Sequence, residues 1–72
     1  MALKILEIVL SYFKRRPGEV LDLNNIIEVW NERGLDRAYL EPGLHYAEKK
    51  GWIEISNNGN SVKLTKMGYA KG

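Results

Sequence analysis

Between Gly51 and Gly68 the chain reads Gly-Trp-Ile-Glu-Ile, then Asn57-Asn58-Gly59-Asn60, then Val62-Lys63-Leu64-Thr65. The two flanks alternate apolar and polar residues, the period of a half-buried strand. Ile53, Ile55, Val62 and Leu64 therefore share one face, while Glu54 and Lys63 point away from it. The turn between them is polar, and Asn58 and Gly59 take positive φ at little steric cost, as a tight connection requires. The segment, over about residues 52–65, predicts a short hairpin placed directly after a helix.

The remainder is helical in pattern. Leu3, Leu6, Leu10 and Phe13 recur at helical spacing and predict a first helix over residues 2–15, which Pro17-Gly18 cannot continue. Ile5, Ile8, Val9 and Tyr12 broaden its apolar surface, leaving Lys4, Glu7, Ser11 and the terminal bases as a polar stripe. That is more apolar circumference than one small domain normally covers. Two readings follow: a homodimer through Ile5, Ile8, Val9 and Tyr12, or cover from the third helix and the C-terminal tail. A wide apolar helix signals burial without naming the partner.

Glu19-Val20-Leu21 reads as a short extended piece, after which Asp22 is placed to cap a second helix over residues 23–33. Leu23, Ile26, Ile27 and Trp30 form its inner face, and Gly34 ends it in the left-handed conformation. Asp36 then caps a third helix over residues 37–50, closed by Gly51. Pro42 lies inside that segment, where a proline removes one hydrogen bond and crowds the preceding turn. Either a short turn over residues 36–40 leads into a main helix, or one helix bends. After the hairpin, Thr65 caps a final short turn whose length Gly68 limits, with the last residues frayed.

Seventy-two residues make one domain, and a chain this short buries only about 60% of the surface that its unfolded form exposes. There is no cysteine, hence no disulfide framework or thiolate metal site, and His45 cannot build a zinc site alone. Eleven Lys or Arg stand against nine Asp or Glu, a balance too mild to predict nucleic-acid binding by itself. The apolar stretch from Met1 to Phe13 is broken by Lys4 and Glu7 and is shorter than a bilayer span. Its cationic run, Lys14-Arg15-Arg16, follows the apolar residues instead of preceding them, and no small-residue cleavage site follows. The expectation is a cytoplasmic protein without membrane contact. No phosphate-binding glycine loop, metal-ligand cluster or nucleophile motif appears, so neither an enzyme nor a cofactor is expected.

The order helix, short strand, helix, turn, helix, two-stranded hairpin is similar to the winged-helix (winged helix-turn-helix) family, an α+β fold with a C-terminal two-stranded wing. The residues that carry the resemblance are Asp22 to Ile27, Asp36, the join Leu44, Ala47, Gly51, Trp52 and Ile53, then Leu64-Thr65 and Gly68. All are core, cap or turn positions, so they specify a scaffold before an activity. The resemblance implies a double-stranded DNA-binding regulator or accessory factor, with the third helix in the major groove and the wing on the backbone. Winged helices also serve as protein-interaction modules, and Glu41, Pro42 and the apolar first helix fit a protein contact as well.

With Leu40, Leu44 and Ala47 inward, the helical rotation turns Ala38, Pro42, His45 and Lys49 outward, with Arg37, Glu41 and Tyr46 beside them. By the resemblance, the DNA-binding positions are Arg37, Ala38, Glu41, His45, Lys49, Asn58 and Lys63. This surface is poor in base-reading chemistry, because it offers one Arg and places a carboxylate in its middle. Asn57 to Ser61 bring amides for phosphates and no Arg for a minor groove. Lys14-Arg15-Arg16, Lys50 and Lys66 join a phosphate-facing collar only if the fold gathers them. Otherwise the Lys14-Arg15-Arg16 run favours its own helix C-terminus. Trp30 is expected in the core, Trp52 on the second face of the hairpin, and Tyr39 and Tyr46 on one flank of the third helix.

Overall fold

The computed structural model describes residues 2–71. Helix α1 (Ala2–Glu7) continues into a π-helical turn (Ile8–Tyr12), followed by β1 (Val20–Asp22) and α2 (Leu23–Glu32). A 3-10 turn (Arg37–Tyr39) leads into α3 (Leu40–Lys49), then β2 (Ile53–Ser56), β3 (Ser61–Leu64) and α4 (Lys66–Lys71). The described residues thus form an α+β domain with four α-helices and one three-stranded antiparallel sheet of order β1-β3-β2.

Alternation fixes the sheet. Leu21 pairs with Val62, Val62 with Ile55, and Leu64 with Ile53, so one face is apolar and turned to the helices. On the opposite face Val20, Lys63 and Glu54 form a cross-strand row that sets opposite charges side by side. The connection Asn57–Asn60 holds Asn57 and Asn58 at φ 56° each and Gly59 at 85°. Positive φ thus extends one residue earlier than the Asn-Gly pair alone implies.

Caps lie where short polar side chains meet helix starts. The Asp22 carboxylate accepts from the Asn24 N–H at 2.9 Å at the start of α2. Asp36, expected to cap the third helix, instead accepts from the Ala38 N–H at 2.9 Å and caps the 3-10 turn, and α3 starts at Leu40 without a side-chain cap. Gly34, at φ 71°, follows α2. Pro42 is the third residue of α3, where a missing N–H costs nothing within the helix, so a short turn followed by a main helix resolves the proline. The Trp30 indole is fully buried and donates to the Asp36 carbonyl at 2.9 Å, fastening the turn between α2 and α3 to the core.

Three further expectations are corrected. The first helix ends at Tyr12, short of residue 15, because Lys14 adopts φ 54° and the Arg15 N–H turns back to the Val9 carbonyl at 3.1 Å. Its inward face is Ala2, Ile5, Leu6, Ile8 and Val9, while Leu3 is 60% exposed. Ile5, Ile8 and Val9 are therefore core residues of the single chain and offer no dimer surface, and only Tyr12 of that set is exposed. Helix α1 lies against α3, so the third-helix part of the alternative cover for its apolar face is present. Gly68, finally, sits inside α4 and does not end it. It lies against the Trp52 carbonyl, and the Thr65 hydroxyl accepts from the Gly68 N–H at 3.0 Å to start the helix.

Among the described residues no helix is long and apolar enough to cross a membrane.

Candidate nucleic-acid and partner interface

The exposed surface of α3 is divided into three stripes by residues seven apart, which two helical turns bring nearly into line. Glu41 and Glu48 form one flank, Pro42 and Lys49 with His45 between them form the crest, and Tyr39 and Tyr46 form the other flank. All seven are exposed, whereas Leu40, Leu44 and Ala47 are buried on the opposite side. The helix thus presents one acidic, one weakly basic and one aromatic edge.

The acidic edge faces α2 and the sheet. A groove of about 270 Å³ between α2 and α3 is lined by Leu23, Ile27, Arg37, Leu40, Glu41 and Leu44. Farther along, the Glu48 carboxylate accepts from the Ile55 N–H at 3.4 Å, which ties α3 to the outer edge of β2. The hairpin tip reaches the same front, since the Leu23 N–H donates to the Asn60 carbonyl at 2.8 Å. The start of α2, the acidic edge of α3 and the Asn57–Asn60 tip are consequently neighbours.

The aromatic edge faces α1. Ala2 and Leu3 from α1, with Tyr39, Pro42, Gly43 and Tyr46, enclose a groove of about 350 Å³. Tyr46 then meets Trp52 edge to face, with ring centroids 5.9 Å apart. The Lys50 ammonium lies 5.5 Å from the Tyr46 ring centre, and the Lys71 ammonium 5.7 Å from that of Trp52.

Of the positions expected to touch DNA, Glu41, His45 and Lys49 are exposed on α3, Arg37 and Ala38 are exposed on the 3-10 turn that leads into it, and Asn58 is exposed at the hairpin tip. Lys63 is not brought to them. It is half-buried on the sheet face turned from the core, between Val20 and Glu54. Lys14-Arg15-Arg16 is also remote from the hairpin tip. The Gly18 N–H donates to the Leu64 carbonyl at 2.7 Å, at the end of β3 opposite Ser61, so the cationic loop sits at the base of the hairpin. No single collar gathers all these bases.

Glu48, Leu3 and Lys71 are residues that sequence reasoning missed, the last because the C-terminal residues were expected to fray. The signal for Glu48 was present as the seven-residue spacing from Glu41. Leu3 gave none, because a helix apolar around most of its girth does not reveal which leucine faces out. Among the described residues no group of three or more His, Cys, Asp or Glu converges as a metal site would. Compared with known proteins, the chain matches no family model, no curated protein and no solved structure.

Proposed function

We propose that the chain is a winged-helix domain that binds double-stranded DNA as a transcriptional regulator or accessory factor. In this reading α3 enters the major groove and the β2–β3 hairpin, as the wing, lies along the backbone. The observation that carries the proposal is the 2.8 Å bond from the Leu23 N–H to the Asn60 carbonyl, which sets the hairpin tip beside the start of α2. With the α2–α3 groove alongside, the exposed edge of α3 and the hairpin tip lie on one side of the domain, which supports a common DNA-facing front. A cytoplasmic location accords with this function.

The chemistry of the front favours phosphate contact over base reading. Arg37 and Lys49 supply cations at either end of α3, the Asn57–Asn60 tip supplies amides, and Glu41 and Glu48 oppose the phosphate field. Binding is expected to be weak in sequence preference and steep in salt. The test is titration of a random-sequence duplex across a salt series with a single-stranded control. Affinity that falls steeply with salt and prefers the duplex supports the proposal, and absence of binding at low salt overturns it.

The second reading, a winged-helix protein-interaction module without DNA binding, is favoured by one observation, the apolar groove centred on Pro42. It predicts no duplex affinity at any salt.

A further inference from the structure

We infer that the groove between α1 and α3 is a docking site for an amphipathic helical segment of another protein, one that carries carboxylates beside its apolar stripe. The inference deepens the protein-interaction reading, on whose groove it rests; that groove lies on the aromatic flank of α3 and shares Pro42 with the crest, whereas the proposed DNA front includes the acidic flank.

The groove has the shape and lining that helix-in-groove recognition uses. It runs between two helices, holds about 350 Å³, and is walled by Leu3, Tyr39, Pro42 and Tyr46, with Gly43 and Ala2 among its lining residues. Leu3, Tyr39 and Tyr46 are 60%, 53% and 51% exposed, a concentration of large apolar side chains on one small surface. Tyrosine and proline enter such contacts at little conformational cost, since their side chains have few rotors to freeze.

Charge selects the occupant. Past the lining residue Tyr46, the Lys50 ammonium is held over the Tyr46 ring, and the Lys71 ammonium lies one ring farther on, over Trp52. Among the described residues the one ion pair is Arg33 with Glu7, so no described carboxylate pairs with either lysine. A segment with Asp or Glu at the end of its apolar stripe complements these ammonium groups, whereas a basic segment is repelled. The ammonium groups also cover a face of the Tyr46 ring and of the Trp52 ring. The surface is therefore a concave apolar trough with an ionic end, unlike the open ring faces on which unpaired bases stack.

The test uses the isotope-labelled domain and a panel of amphipathic leucine–alanine helical peptides made in matched pairs, with either Glu or Lys on the rim. Glu-rimmed peptides are expected to shift the amide resonances of Leu3, Tyr39, Gly43 and Tyr46 saturably. They should bind roughly tenfold or more tightly than their Lys-rimmed counterparts. Leu3→Asp, a change at an exposed position, should weaken that binding about tenfold or more while leaving the thermal melt and duplex affinity unchanged. Equal binding of both rims overturns the inference, as does the absence of saturable shifts with every Glu-rimmed peptide. A single-stranded oligonucleotide that produces the same shifts and displaces the peptide overturns it too, reassigning the groove to unpaired nucleic acid. Because duplex affinity is read on the same samples, loss of peptide binding and failure of the DNA reading are separate outcomes.

Discussion

A Cβ built on Gly68 would stand 2.1 Å from the Trp52 carbonyl oxygen and 2.9 Å from its carbon. Both atoms are backbone, so neither can rotate aside, and the same carbonyl accepts from the Thr65 N–H at 3.1 Å. Any side chain at residue 68 pushes α4 away from the join between α3 and β2. Gly34 presents the opposite case, with φ 71° and open space around its missing Cβ. Gly68→Ala is expected to cost about 3 kcal/mol through overpacking. Gly34→Ala pays only the left-handed penalty of about 1 kcal/mol. Urea titrations of the two variants check this, and Trp52 emission should change in the first alone. Equal midpoints would mean that the close approach of α4 to Trp52 contributes nothing to stability.

At the scale of elements, most of the fold was legible because caps, turns and period-two strands are local signals. Asp22 and Asp36 each cap the element that follows them, and the alternation of Ile53, Ile55, Val62 and Leu64 sets the sheet face. What stayed illegible was long-range. In the first helix the polar stripe of Lys4, Glu7 and Ser11 is too narrow to decide which of the many apolar residues face inward, and packing of α1 against α3 makes that choice. Residues that periodicity offered to a partner became core as a result. Ile5 is fully buried, so Ile5→Glu is expected to unfold the domain, by several kcal/mol for an unpaired buried carboxylate, and to yield no folded monomer released from a dimer. Far-ultraviolet circular dichroism combined with sedimentation distinguishes the two. Pro42 was equally ambiguous in sequence, since a proline third in a helix and a proline mid-helix look alike until the start is known. With α3 beginning at Leu40, Pro42→Ala is expected to alter stability by less than about 0.5 kcal/mol, as a denaturant midpoint would show.

For the molecule as a whole, the distribution of charge matters more than its formal net of +2. The candidate site was readable in sequence as to which α3 residues face out, but not as to how distant segments fall around them, because that depends on the direction of each strand. The run of the chain from Gly18, beside Leu64, through β1 to Leu23, beside Asn60, places the Lys14–Arg16 loop and the hairpin tip at opposite ends of the sheet. Cations that are similar in sequence therefore differ in consequence. If α3 and the hairpin tip meet a duplex, Arg37→Ala and Lys49→Ala should each weaken binding and flatten the slope of log affinity against log salt by about 0.9, the release expected for one phosphate contact. Lys14→Ala, outside the front, should leave the slope unchanged. Glu41→Gln should tighten binding a few-fold, roughly 0.5 to 1 kcal/mol, because it removes a like charge from the phosphate-facing edge. Fluorescence anisotropy with one duplex across a salt series reads all four variants. An equal loss of slope in Lys14→Ala would show that the duplex lies against the base of the hairpin, and an unaltered slope in both Arg37→Ala and Lys49→Ala would remove α3 from the DNA interface.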